Sequence, residues 1–412
     1  MAQSSVLFRN ANVLDGTHDT AVEQDVLVEG GLIKEVGSGL TSESARTIDL
    51  AGKTLMPGLI DCHVHVIAGL ADLGANAELP SSLVALRSAK IMRAMLMRGF
   101  TTVRDLGGAD FGLVTAIEEG TIVGPRLVIC GKALSQTGGH TDYRGRNHNR
   151  NVDYYGERLG ALGRVVDGVD SVRRICREEL KGGAEFIKIM ANGGVSSPTD
   201  PIASMGFSRE EIIAAVEEAN NAQTYVSAHL YTDQAIRRAV ECGVISVEHG
   251  NLIQPETARL VKEKGAYVVP TNVTYEFLAK EGASLGLPAA SVAKIEDVRS
   301  AGIAALGILH EAGVMMAYGS DLLGEMQRHQ SEEFVIRGRH LPAIEVIRSA
   351  TTYAAKVVRQ EGKLGVVAAG AHADLIVVEG NPLKNLSLLA AQGRSIPAIM
   401  KAGVFVKDRL AA

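Results

Sequence analysis

Six side chains able to hold a metal ion stand at predicted strand ends of this chain: His63, His65, Lys188, His229, His249 and Asp321. The first two lie in Pro57-Gly58-Leu59-Ile60-Asp61-Cys62-His63-Val64-His65. Successive strand side chains point to opposite faces, so His63 and His65 share one face and Cys62 and Val64 the other. Two imidazoles about 7 Å apart along a strand can close on one cation. An isolated His-x-His is as readily two satisfied histidines, and it is the later strands that tip the balance. Lys188 sits in the apolar run Phe186-Ile187-Lys188-Ile189-Met190-Ala191, before Asn192-Gly193-Gly194. A free ammonium is costly to bury there without a partner. In Tyr225-Val226-Ser227-Ala228-His229-Leu230-Tyr231, parity puts Ser227, His229 and Tyr231 on one face. Two further strands end in Val247-Glu248-His249-Gly250-Asn251 and Ala317-Tyr318-Gly319-Ser320-Asp321. Four histidines, a lysine and an acid at the ends of separate strands point to a metal centre.

The elements that must carry these residues begin at Pro57. From there apolar strands alternate with helical stretches, the pattern of parallel βαβ units. Strands are predicted at about 58–66, 101–106, 126–133, 186–191, 225–230, 245–249, 267–271 and 314–320. Helices fall between them, among them Ser81 to Met97, Ser208 to Ala222 and Pro255 to Lys264. Ser208 is placed to cap its helix, with Glu210 and Glu211 where the helix dipole favours acids. Eight strands with intervening helices is the count of a (β/α)8 TIM barrel, whose catalytic groups sit at the carboxyl ends of the strands. The expected catalytic barrel spans 57–364.

Both flanks read as short strands: Val6 to Phe8, Asp25 to Glu29, Leu32 to Val36 and Thr47 to Leu50 before it, and Leu375 to Glu379, Ala398 to Lys401 and Val404 to Lys407 after it. Gly30-Gly31 marks a hairpin. The economical reading pairs the two chain ends, 1–56 and 365–412, into one small β-sandwich-like domain.

At 412 residues, a barrel of roughly 250 residues and a smaller unit fit together. The 46% hydrophobic and 22% charged shares are those of a globular, enzyme-like protein, and no apolar run is long enough to span a bilayer. A net charge of −5 with mixed signs leaves no footprint for nucleic acid or anionic lipid. The start, Met-Ala-Gln-Ser-Ser-Val-Leu, carries no secretory signal, so a cytoplasmic protein is expected, although a leader already removed would leave the same start. Cys62, Cys130, Cys176 and Cys242 are widely spaced, which fits reduced thiols.

With these motifs the chain resembles the amidohydrolase superfamily, through the whole barrel and both flanks. Pro57 to His65 looks like its first-strand signature and Gly319-Ser320-Asp321 like its last. In the binuclear members, the fourth-strand lysine is carboxylated by CO2 and bridges two divalent ions. Lys188 matches that position, which implies a neutralised carbamate in place of an expensive buried cation. By the same resemblance His63, His65 and Asp321 hold the more buried ion, and His229 and His249 the second. Nitrogen and oxygen ligands suit zinc first, with the metal identity open. Two ions about 3.5–4 Å apart lower the pKa of a shared water towards roughly 7. Asp321 then moves the proton, and the Tyr231 hydroxyl helps to stabilise the oxyanion.

Lys188 to Gly194, His229-Leu230-Tyr231 and Thr137-Gly138-Gly139-His140 resemble a narrower branch. Its members are metal-dependent dipeptidases (Xaa-Pro dipeptidases among them) and carboxypeptidases that release a C-terminal amino acid, with ochratoxin-hydrolysing amidases. The resemblance implies a small-molecule or dipeptide substrate with a free carboxylate, and a homo-oligomer. His140 and Tyr231 become candidates for contacts to that carboxylate and to the tetrahedral intermediate, against a plain wall residue or loop histidine. The loop with Asp142, Tyr143, Arg144, Arg146, His148 and Arg150 reads as solvated surface, unless one arginine grips a carboxylate. Glu325 to Gln330 poses the same choice. Arg104 and Asp105 read as a structural ion pair, and Met315 and Met316 as core. Rival readings are a cyclic amide hydrolase or deaminase of the imidazolonepropionase type, a lactonase or esterase using the same water, and a scaffold without catalysis. Lys188 counts against the deaminase, and the full donor set against the scaffold.

Overall fold

The computed structural model describes residues 5–410 except 146, 149, 196, 198, 199 and 288, so Arg146 lies outside the described residues. The two chain ends meet in one eight-stranded sheet. Its order is Val404–Asp408, Ala398–Lys401, Leu375–Val378, Thr54–Pro57, Val6–Val13, Val22–Glu29 and Leu32–Gly37, with Arg46–Asp49 pairing on Val6–Val13. All its strands belong to one hydrogen-bonded sheet that branches at Val6–Val13, not to the two separate sheets of a sandwich. The branch arises because one strand takes three partners, two of them parallel. Phe8, Val26, Ile33, Leu55 and Val377 form a core of their own beneath it.

Between the two flanks all strand pairs are parallel. Leu59–Val64, Phe100–Asp105 and Arg126–Ile129 make a three-stranded sheet. A six-stranded sheet runs Gly163–Val165, Ala133–Ser135, Ile187–Met190, Val226–Thr232, Ser246–Leu252 and Tyr267–Val269. Leu59–Val64, Phe100–Asp105 and Ile187–Met190 are buried along their whole length, as expected of strands covered on both faces. The connecting helices include Ser81–Met97, Arg209–Asn221 and Pro255–Glu263. Ser208 and Glu211 close a reciprocal cap on the second of these.

Two predicted strands come out differently. The run 126–133 ends at Ile129, and Ala133–Ser135 pairs instead in the six-stranded sheet, on Ile189. The run 314–320 forms no strand, only a bridge between Met316 and Val268. Its hydrogen bonds go both ways: Ala317 donates to Val268 at 2.9 Å, while Cys62 and Asp321 tie it to the first strand at 2.8 Å each. Tyr318 N–H turns aside to Ser349 at 2.8 Å, and that breaks the ladder. Met316 is buried and Met315 packs half-buried against the core, as their apolar setting predicts.

Candidate active site

His63, His65, His140, Lys188, His229, Tyr231, His249 and Asp321 all line one cavity, with Leu73, Thr141, Leu162, Met190 and Leu323. The structure therefore gathers every residue singled out for chemistry. The strands deliver them from different directions because side chains at the carboxyl ends of parallel strands lean over one opening. Asp321 Oδ1 lies 3.4 Å from His63 Nε2 and 3.3 Å from His65 Nε2, and its Oδ2 lies 3.9 Å from His249 Nδ1. The tightest cluster of donors is His63, His249 and Asp321. His249 thus stands nearer the first histidine pair than its assignment to a second ion implies, while its Nε2 lies 2.9 Å from His229 Nδ1. At that distance the two rings are within hydrogen-bond reach, one N–H donating to the bare nitrogen of the other.

Gly319 makes the approach of the last segment possible. A Cβ there would lie 2.9 Å from His63 Cβ and 2.6 Å from Val269 Cγ1. His249 and Asp321 both adopt positive φ, 70° and 50°, which only surrounding structure can hold.

Behind the donors lies a network without solvent contact. His63 Nδ1 is 2.8 Å from Glu248 Oε2, and Glu248 Oε1 accepts from Arg104 Nη2 at 2.7 Å, Ser227 at 2.7 Å and Ser246 at 2.6 Å. Arg104 also donates through Nε to the carbonyl of Cys62 at 2.7 Å. The expected Arg104–Asp105 pair is therefore wrong. Neighbours on a strand face opposite ways, so Arg104 turns in to Glu248 while Asp105 accepts N–H groups of Val66, Gly107 and Ala109. Burial would raise the Glu248 carboxyl, but Arg104 and His63 hold it well below the usual range. The sequence signal for Glu248 is general: it and Arg104 each fall in a predicted strand, and a charged side chain that a strand buries needs a partner. A second carboxylate, Asp61, joins first and last segments by accepting from Ser320 Oγ at 2.6 Å and Gln330 Nε2 at 2.9 Å.

Electrostatics favour metal-ready donors. Burial, then the neighbouring histidines and Lys188, pushes His229 and His249 well below the usual imidazole range. Burial pushes the Lys188 ammonium down to about 8. Lys188 is 1% exposed, and its Nζ has no hydrogen-bond partner among the described residues. Other lysines in the fold show what a satisfied ammonium looks like. Lys132 donates to the carbonyls of Arg158 and Ala161, and Lys294 to those of Gly194, Ser197 and Asp200. An orphaned amine in a cavity lined by five imidazoles and a carboxylate fits a metal centre.

Tyr231 stacks on His249 with ring centroids 5.1 Å apart, and its hydroxyl lies 2.9 Å from that of Tyr275. Burial pushes its phenol well above the usual range, so it stays a donor. Asn192 Oδ1 fixes its backbone by accepting from Tyr231 N–H at 2.8 Å. His140 stacks on His229 at 4.3 Å. The neighbouring loop arginines turn elsewhere: Arg144 to Asp142, Arg150 to Glu78. Of Glu325 to Gln330, Gln330 braces the first strand through Asp61, Gln327 the turn after it through the Ala68 carbonyl, and His329 stacks on Phe277 beside Glu281.

Residues 54–406 match the model of the amidohydrolase family. The chain belongs to the amidohydrolase family. This amidohydrolase is 35% identical to ochratoxinase of Aspergillus niger over 367 residues, 86% of this chain and 75% of the relative. A prolidase crystallised with N-methylphosphonate-L-proline superposes with a TM-score of 0.97 at 51% identity, covering 98% of this chain and 100% of the other. A Xaa-Pro dipeptidase with methionine in its active site superposes at 0.88 and 30% identity, covering 98% and 100%. The protein is thus an amidohydrolase of the dipeptidase-like branch, a hydrolase acting on amide bonds. The family is generally metal-dependent, and His63, His249 and Asp321 form a site that could hold an ion. No described helix is long and apolar enough to cross a membrane.

Proposed function

We propose that this amidohydrolase cleaves the amide bond before a C-terminal amino acid, in a dipeptide or N-acyl amino acid, with ochratoxin-type amides in the same class. The parallel sheets and the 314–320 segment act in this reading as one (β/α)8 barrel over 57–364, and the two chain ends as a small β domain. Of two divalent ions, zinc first, His63, His65 and Asp321 would hold one, and His229 and His249 the other. Lys188 would join that donor set as a carbamate: its neutral amine adds to CO2, a new N–C bond forms and a proton leaves. The observation that carries this is the orphaned Nζ of Lys188 in the cavity that the donors line. The prolidase and ochratoxinase relatives support the substrate class.

The ions supply a water made acidic enough to attack at neutral pH. Asp321 would take up a proton at its carboxylate as the attacking water bonds to the carbonyl carbon, and deliver it to the amine as the C–N bond breaks. Tyr231 donates its hydroxyl hydrogen to the oxygen that gains charge. His140 contacts the substrate from the loop wall. The space these residues enclose is about 30 Å3, against the roughly 300–1,000 Å3 of small-molecule sites. Four buried free cysteines agree with a reducing, cytoplasmic setting. A homo-oligomer rests on the family resemblance alone.

Elemental analysis of purified protein, with a screen of N-acyl amino acids and dipeptides varying in the C-terminal residue, tests this reading. Near two metal equivalents with release of the free amino acid is the expected result. About one equivalent with no amide turnover would overturn it in favour of cyclic amides or lactones.

A further inference from the structure

His249 is held unlike the other histidines that the strands carry. His63 Nδ1 faces Glu248 Oε2 at 2.8 Å, His65 Nδ1 the Gly107 carbonyl at 3.4 Å and His229 Nε2 the Gly193 carbonyl at 3.2 Å, groups that only accept. His249 Nδ1 meets two hydroxyls instead, Thr271 Oγ1 at 2.8 Å and Tyr275 Oη at 3.0 Å. A hydroxyl both takes and gives, so it can hand a hydrogen-bond direction onwards. Tyr275, 1% exposed, lies in the short helix Asn272–Phe277, which Glu333 anchors by accepting from the N–H of Val273 at 2.6 Å. Its oxygen faces His249 Nδ1 and, at 3.5 Å, the Thr271 hydroxyl, and its one hydrogen goes to the Tyr231 oxygen at 2.9 Å. The backbone N–H of Val195 is a second donor to that oxygen. With both lone pairs of Tyr231 engaged, its own hydrogen is left for the cavity that Tyr231 lines.

We propose that Tyr275 is a positioning residue for amide hydrolysis, acting through Tyr231: its hydroxyl takes the Nδ1 hydrogen bond of His249 and gives its own hydrogen to the Tyr231 oxygen, so that the Tyr231 hydrogen points at the substrate. This deepens the proposed function and rests on it. Tyr275 is not among the residues that line the cavity, so it acts through its neighbours alone. One oxygen thereby joins His249, a donor for an ion, to Tyr231, a donor for the substrate. Partners that orient a site residue in this way are typically worth about 10–100-fold in activity.

The test compares wild type with Tyr275→Phe, Tyr231→Phe and the double variant, each metal-loaded, on an N-acyl amino acid. Phenylalanine keeps the ring and removes only the hydroxyl, so the packing stays while the hydrogen bond goes. The expected result is a fall of about 10–100-fold in kcat/KM for Tyr275→Phe. Metal content should match wild type, because Thr271 still meets His249 Nδ1. On the Tyr231→Phe background, Tyr275→Phe should cost nothing more. Unchanged turnover, loss of metal, or additive losses in the double variant would overturn the proposal. Hydrogen exchange at the tyrosine hydroxyls, followed by NMR of protein labelled with 13C at tyrosine Cζ, gives a readout free of turnover. A slowly exchanging Tyr275 hydroxyl, missing in Tyr275→Phe and faster to exchange in Tyr231→Phe, is expected. A Tyr275 hydroxyl that exchanges fast in wild type, or that is indifferent to Tyr231→Phe, breaks the link between the two residues. Should wild type hydrolyse no C-terminal amide, the functional reading fails, and the exchange rates still decide whether Tyr275 holds Tyr231.

Discussion

The strand wall of the pocket, with His63, Lys188, His249 and Asp321, is backed by a buried charged network inside the sheets, whereas His140, on the loop wall, is held by groups from other connections. His63 leans on Glu248, which leans on Arg104, and all three are buried. His140 leans on Asp200 and on Gly194, whose carbonyl Lys294 holds. The difference is one of coupling. Breaking the strand wall leaves a charge buried and unpaired, so folding, metal binding and turnover fall together. Breaking the loop wall misplaces one ring at modest cost to the fold, so substrate handling falls alone.

Replacing Lys188 by Ala attacks the strand wall at its centre, and a loss of activity on the order of 10⁴-fold with parallel loss of metal is expected. Elemental analysis and steady-state kinetics check this, with short carboxylic acids giving partial rescue; full metal content in the alanine variant would rule out the bridge. Asp321→Asn should lower kcat by about 10²–10⁴-fold while the metals stay largely bound. Substantial turnover in that variant would remove Asp321 from its proton-carrying role. Glu248→Gln separates support from chemistry: Arg104 loses its buried partner, at about 3–5 kcal/mol of stability, and metal affinity drops about 10–100-fold. Denaturant unfolding of metal-free protein and metal titration measure the two effects. A variant as stable as wild type would show that Arg104 finds another acceptor. Gly194→Ala probes the loop wall alone, with KM rising about tenfold, equivalent to about 1.4 kcal/mol, and metal content kept. Loss of metal in this last variant would erase the distinction between the walls.

The same contrast explains what could be read from the chain. Strand parity placed His63 with His65 and Ser227, His229 and Tyr231 together, because a period of two is a local property. The helix at Arg209–Asn221 and the Gly30-Gly31 hairpin were legible for the same reason. Arg104 was misassigned to its sequence neighbour because its partner Glu248 lies 144 residues away. Asp200 and Lys294 gave no signal, since a polar residue in a loop looks alike whether it serves solvent or a distant imidazole.

By itself, then, the sequence determined which side chains could do chemistry, which face each strand offers, and that parallel strands would carry the donors to one end. Tertiary structure alone decided that His249 stands between His63 and His229, that Lys188 Nζ has no hydrogen-bond partner among the described residues, and that the two chain ends share one branched sheet. Face and period follow from bonds between near neighbours. Distances between strand ends depend on twist, register and packing of the whole molecule, which no short stretch of residues encodes.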